Sequence, residues 1–125
     1  MKTSEIFASP AVLSNTELRN VGETVNALGN VSGATTIDMR LGNVVTATAT
    51  NAVTWSITNP FTTGKACTVT LILTNGGVGA QTWPTGTIWP GGNEPFMTAS
   101  GVDIVVLMTI DAGTTWMASC NANYS

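Results

Sequence analysis

Histidine is missing from the whole 125-residue chain. Its absence removes the usual general base, the commonest metal ligand and every catalytic triad built on imidazole. Charge is nearly as scarce, at 9% of residues, well below the roughly 25% of an ordinary soluble domain. The only cations are Lys2, Arg19, Arg40 and Lys65, and the net charge is −3. A nucleic-acid binder needs a basic stripe, so no nucleic-acid partner is expected. No apolar run approaches the roughly 18 residues of a membrane span, and no membrane partner is expected. The opening stretch, MKTSEIFASPAVLSNTELRN, lacks the unbroken apolar segment of a secretory signal. Cysteine is limited to Cys67 and Cys120. Without histidine these are poor zinc ligands; each falls in an expected strand, most simply as a small core residue. A bridge between them would require adjacent strands.

Other chemistry is equally thin. The carboxylates Asp38, Glu94, Asp103 and Asp111 are scattered, and nothing in their spacing asks for a glycosidase pair. Asn75-Gly76-Gly77-Val78-Gly79 lacks the helix and lysine of a phosphate loop. The expectation is a protein that is not an enzyme and uses no metal or cofactor.

What the chain does have is Thr, Asn, Ser and Gly, a surface suited to protein–protein contact, where Lys and Glu are usually depleted. Its organising stretch is Gly101–Cys120. Val102, Ile104, Val106, Met108 and Ile110 point one way, and Val105 and Leu107 the other, so the strand is apolar on both faces. It turns through Asp111-Ala112-Gly113-Thr114 and returns as a second strand from Thr115. One face packs inside the subunit; the other, with Val105 and Leu107, is expected to meet a second copy.

Residues 1–32 sustain neither hydrophobic period and are read as an extended arm, with Ile6, Phe7, Val12, Leu13 and Val21 as anchors on a neighbouring subunit. Residues 33–125 form the domain. Strands are expected over Thr35–Leu41, with Ile37, Met39 and Leu41 on one face, and over Val44–Thr50. A turn at Asn51-Ala52 leads into Val53–Thr58, and Asn59-Pro60 stops pairing. Ala66–Thr74 follows, then a short edge strand at Pro95–Thr98. About eight short antiparallel strands without a convincing helix imply an all-β sandwich or jelly roll.

Two further motifs stand out. Trp83-Pro84 and Trp89-Pro90 lie in Gly-rich loops. Trp83 and Trp89 are candidates for stacking on a sugar, though a Trp-Pro pair more often pins a loop. Thr109-Ile110-Asp111-Ala112-Gly113-Thr114-Thr115-Trp116 fits the S/T-x-D-x-G-x-T-W box found in repeated copies in sialidases. Its physical content is a staple: Asp111 accepts backbone N–H groups across the turn, Gly113 supplies the geometry, and Trp116 packs beneath. A sialidase-like activity is disfavoured, because one box and two arginines cannot build the arginine cluster such enzymes use.

Leu41-Gly42-Asn43-Val44-Val45, Val53–Pro60, Thr70–Gly77, Gln81-Thr82-Trp83-Pro84, Ile88–Gly92 and Asp111–Trp116 together resemble a small β-domain of tailed-bacteriophage virion proteins. That domain often ends tail fibres. Standing nearly alone behind a short arm, it is more similar to a capsid cement, or decoration, protein. The resemblance implies a homotrimer on the capsid surface, assembled in the host cytoplasm and bridging neighbouring major capsid subunits. The alternative it implies is a tail-fibre or spike module that binds a host glycan through Trp83 and Trp89.

Overall fold

The computed structural model describes residues 12–125. Ile6 and Phe7, two of the expected arm anchors, lie outside them. Seven strands run β1 (Val25–Asp38), β2 (Val44–Thr58), β3 (Cys67–Thr74), β4 (Gln81–Thr82), β5 (Thr87–Ile88), β6 (Val102–Thr109) and β7 (Trp116–Tyr124). Single 3-10 turns occupy Met39–Leu41, Gly76–Val78 and Pro90–Gly92. The chain is mostly β, as expected.

The strands form one mixed sheet in the order β1-β2-β3-β6-β7-β5, with β4 attached to β2. The expected all-antiparallel pairing is corrected. Only β3–β6 and β6–β7 are antiparallel among the described strands, while β1–β2, β2–β3, β2–β4 and β5–β7 run parallel.

Parallel neighbours joined by so little chain require curvature. Val25 pairs with Val44 and Asp38 with Thr58. A straight strand of 14 residues would span roughly 45 Å, whereas the link through residues 39–43 reaches about 20 Å at most. β1 and β2 must therefore bend together. The break in their register falls between Ala27 and Gly29 and again between Val31 and Gly33. Gly29 and Gly33 have φ of 72° and 67°, a conformation that costs side-chain-bearing residues energy. The first bulge also changes which residues face inward. Leu28 and Val31, of opposite parity, both reach the core because one extra residue shifts the alternation.

Several boundaries differ from expectation. β1 starts at Val25, so eight residues assigned to the arm belong to the sheet. Asn51-Ala52 lies inside β2 at its bend and does not separate two strands. The strand expected over Thr35–Leu41 ends at Asp38, where the carboxylate accepts the Arg40 N–H and starts a 3-10 turn. Ile37 is buried, Met39 half-buried and Leu41 exposed. Pro95–Thr98 forms no strand.

The core joins Val45, Ala47, Ala49, Val53 and Trp55 of β2 to Val69, Leu71 and Leu73 of β3, Val105 and Leu107 of β6, and Trp116 and Ala118 of β7. This reverses the expectation for β6. Val105 and Leu107 face their own core, while Ile104 and Val106 are half-buried and Met108 is exposed on the outer face. The inward set also contains Asp103 and Thr109, both fully buried. Those polar residues disguised it as the weaker hydrophobic face. Cys67 and Cys120 are free thiols; β6 lies between their strands.

Candidate functional site

A cleft of about 800 Å³ opens where β1 ends and β3 begins. The 3-10 turn after β1 contributes Met39 and Arg40, and the link into β2 contributes Asn43. The loop between β2 and β3 adds Asn59, Pro60, Phe61, Thr62 and Ala66, and β3 adds Cys67 and Thr68. Asn59 has φ of 61°, a conformation asparagine tolerates well, and Pro60 then ends pairing. The loop consequently swings away from the sheet and forms a wall. Met39, Pro60, Phe61, Ala66 and Cys67 supply an apolar lining, with amides, hydroxyls and Arg40 among them. The Cys67 thiol donates to the Met39 thioether at 3.8 Å.

Charge at this cleft is ordered. Arg40 donates through Nε and Nη2 to the two oxygens of Asp38, at 3.2 and 3.0 Å, and the Asn59 amide adds a third bond at 2.8 Å. The Arg40 side-chain bonds, then the Asn59 bond, hold the Asp38 carboxyl far below its ordinary range. Arg40 is the cation among the residues that line the cleft. The cleft itself was invisible in sequence, because it forms only where the β1–β2 and β2–β3 links come together.

Above β1 the chain from Val12 to Thr24 is exposed at every residue. Val12, Leu13, Leu18 and Val21 expose 89%, 58%, 67% and 62% of their surfaces. The backbone of Thr24 packs against Gly42, where a side chain would strike its carbonyl. The arm therefore leaves the domain next to Asn43, at the cleft.

The tryptophans pack against one another. Trp83 stacks on Trp55, with ring centroids 6.4 Å apart and planes 9° from parallel. Trp89 meets Trp83 edge-on at 5.5 Å. Trp83 is only 9% exposed and packs with the core, while its remaining surface lines a second pocket with Glu94 and Phe96; Trp89 is half-buried. Gln81 locks the group: its oxygen accepts the Trp55 indole N–H at 2.8 Å, and its nitrogen donates to the Gly76 carbonyl at 2.9 Å. Burying the aromatic edges alongside a satisfied indole N–H is what fixes this loop.

The β6–β7 turn is held by side chains. Asp111 accepts the Thr115 N–H at 2.9 Å and the Thr109 hydroxyl at 2.9 Å; these bonds keep its carboxyl below the ordinary value. The Thr109 oxygen in turn accepts the Gly113 N–H at 2.9 Å. Ala112 and Gly113 both have positive φ, and Trp116 packs against Gly113. Replacing Thr109 by valine keeps the volume but strands these donors. Chemical denaturation should register a loss of about 2 kcal/mol, the usual cost of an orphaned buried polar group.

Asp103 is the buried carboxylate that sequence reasoning passed over as one of several scattered acids. It accepts the Thr98 N–H at 2.6 Å, the Thr98 hydroxyl at 2.7 Å and the Asn123 N–H at 2.9 Å. Burial pushes its carboxyl upward, but the three donors outweigh burial and the net shift is downward. Its neighbour Cys120 is pushed up, by burial first and by the Asp103 charge second, which disfavours the thiolate form.

No protein-family model, curated protein or solved structure matches this chain.

Proposed function

We propose that this chain is a structural protein of a bacteriophage particle, a cement that works by contact and not by catalysis. The observation that carries the reading is the arm. Thirteen consecutive residues, 12–24, are exposed throughout, and they include four large apolar side chains that nothing in the described chain covers. Such a segment gains by burial against another protein, at roughly 25 cal/mol per Å² of apolar surface. The second support is the outer sheet face, where Ile72 lies opposite Ile104 and Met108 opposite Met117. Val105 and Leu107, committed to the internal core, no longer contribute. Self-association as a homotrimer and attachment to the major capsid protein are the partners this reading names, with the capsid surface as its location. The bent β1 and β2, each contributing to two parts of the sheet, fit a two-layered sandwich or jelly-roll arrangement. The glycan-binding tail-fibre alternative is weakened by the enclosure of Trp83.

Removing residues 1–24 tests the reading. The shortened chain should keep the wild-type unfolding midpoint but fail to bind capsids in a co-sedimentation assay. Removing residues 1–30 should also destabilise the fold, because it strips six residues from β1. Undiminished capsid binding by the 1–24 deletion would refute the cement role of the arm.

A further inference from the structure

We propose that Met39 and Cys67 form a binding site for one soft monovalent metal ion, copper(I) or its redox-silent stand-in silver(I), held between two sulfurs. The ligands come from separate elements, Met39 from the 3-10 turn after β1 and Cys67 from the first position of β3. The Cys67 thiol already points at the Met39 sulfur, donating to it at 3.8 Å. Its proton therefore occupies the place that an ion shared by the two sulfurs would take. Metal–sulfur bonds of about 2.3 Å would bridge that gap at an S–M–S angle of about 110°, and a linear pair needs about 4.6 Å between sulfurs. Methionine, with three rotatable bonds, supplies so small an adjustment without moving the backbone.

The surroundings choose the ion. Thiolate and thioether are soft donors, which favour copper(I) over hard cations. Harder ligands are lacking: the chain has no histidine, and among the described residues no three histidine, cysteine or carboxylate side chains come together. Asp38, next to Met39, has both oxygens engaged by Arg40 and one also by Asn59. Two ligands remain, enough for copper(I) but short of the four that structural zinc takes. Charge points the same way. Binding replaces the thiol S–H bond by a sulfur–metal bond and releases the proton to water, so the thiolate and a monovalent ion are together neutral. A neutral unit suits a lining of Pro60, Phe61 and Ala66, where a divalent ion would leave uncompensated positive charge. Both residues are half-buried and line the cleft of about 800 Å³, which gives the ion a way in. Once bound, the ion clips the β1–β2 link to the start of β3, an effect separate from any contact with a capsid.

The full chain carrying Cys120→Ser, which leaves one thiol, is titrated anaerobically with the copper(I) acetonitrile complex against the chelator bathocuproine disulfonate. One equivalent per chain should bind, and X-ray absorption should show two sulfurs around the copper. Met39→Leu, a nearly volume-conserving change, should weaken binding about tenfold or more, and Cys67→Ser should abolish it. Silver(I) should raise the unfolding midpoint of the parent and leave that of the Met39→Leu/Cys67→Ser double variant unchanged. The absorption measurement leaves both ligands intact, so it decides the site even where a variant fails to fold. A single sulfur around copper, or undiminished affinity in Met39→Leu, would show a lone thiolate at work and overturn the pair. Copper(I) retained by Cys67→Ser places the ion elsewhere, and uptake only on dimerisation, seen by light scattering, places it between chains; either result overturns the site. Zinc(II) bound as tightly as copper(I) overturns the preference for a soft ion. No copper(I) uptake with the chelator omitted overturns the proposal outright.

Discussion

Asp103→Ala should lower the stability of the fold by about 3 kcal/mol, measured by chemical denaturation near neutral pH. The estimate comes from the donors left behind: each buried polar group without a partner costs on the order of 1–3 kcal/mol, and costs within one network do not simply add. Asp103 gathers the Thr98 N–H, the Thr98 hydroxyl and the Asn123 N–H. It thereby ties the loop before β6 to the end of β7. Truncation frees both at once, and hydrogen exchange should show Thr98 and Asn123 losing protection first. Asp103→Asn retains the shape but presents an NH₂ group where a second acceptor is needed, so a smaller loss is expected.

The same carboxylate makes stability depend on pH in a definite direction. Its folded-state affinity for protons is below the ordinary one. The unfolded chain therefore binds a proton first as the pH falls. The stabilisation is fully present above the ordinary carboxylate value of about 3.9 and disappears as the pH drops through it toward the folded value. Asp103→Asn should flatten this acid limb of the stability curve. Asp38 and Asp111, also shifted down, would retain their share of the slope. An unchanged acid limb in Asp103→Asn would show that the buried carboxylate does not govern it.

Gly86→Ala should be comparably damaging, at about 3–5 kcal/mol. Gly86 has φ of 88°, and an added Cβ would collide with the backbone carbonyl of Thr114. A collision with backbone cannot be relieved by a rotamer change. The loop must instead withdraw from the β6–β7 turn, which breaks the 3.0 Å bond from the Trp116 N–H to the Gly86 carbonyl. The strain of positive φ alone accounts for about 1–2 kcal/mol, and opening the packing around Trp116, which is nearly fully buried, accounts for the remainder. Near-ultraviolet circular dichroism would follow the tryptophan environment directly. Gly92→Ala is the matched control: it also has positive φ, but nothing lies within 4 Å of the added carbon. It should lose only the backbone term. Equal effects at the two glycines would mean that close packing at Gly86 is not what the fold depends on.

Much of the β architecture was legible in local alternation. β2 reads clearly through Val53, Trp55 and Ile57, and β3 through Val69, Leu71 and Leu73, because alternation marks a strand whose one face is dry. The turn at Asp111 could be read because its bonds join residues within six positions of one another. β1 was read as arm for a physical reason: Gly29 and Gly33 look like breaks in a strand, and only a curved parallel partner turns them into bulges.

Composition and short-range spacing thus settled that this chain would be mostly β, lacking histidine chemistry and poor in charge, since those properties reside in single residues and their near neighbours. Which face of β6 points inward, the burial of Asp103 and the meeting of Arg40 with Pro60, Phe61 and Cys67 at one cleft were decided by the tertiary structure. Each depends on strand register and on links that close over long separations. A one-residue shift in that register would send every side chain of a strand to the opposite face.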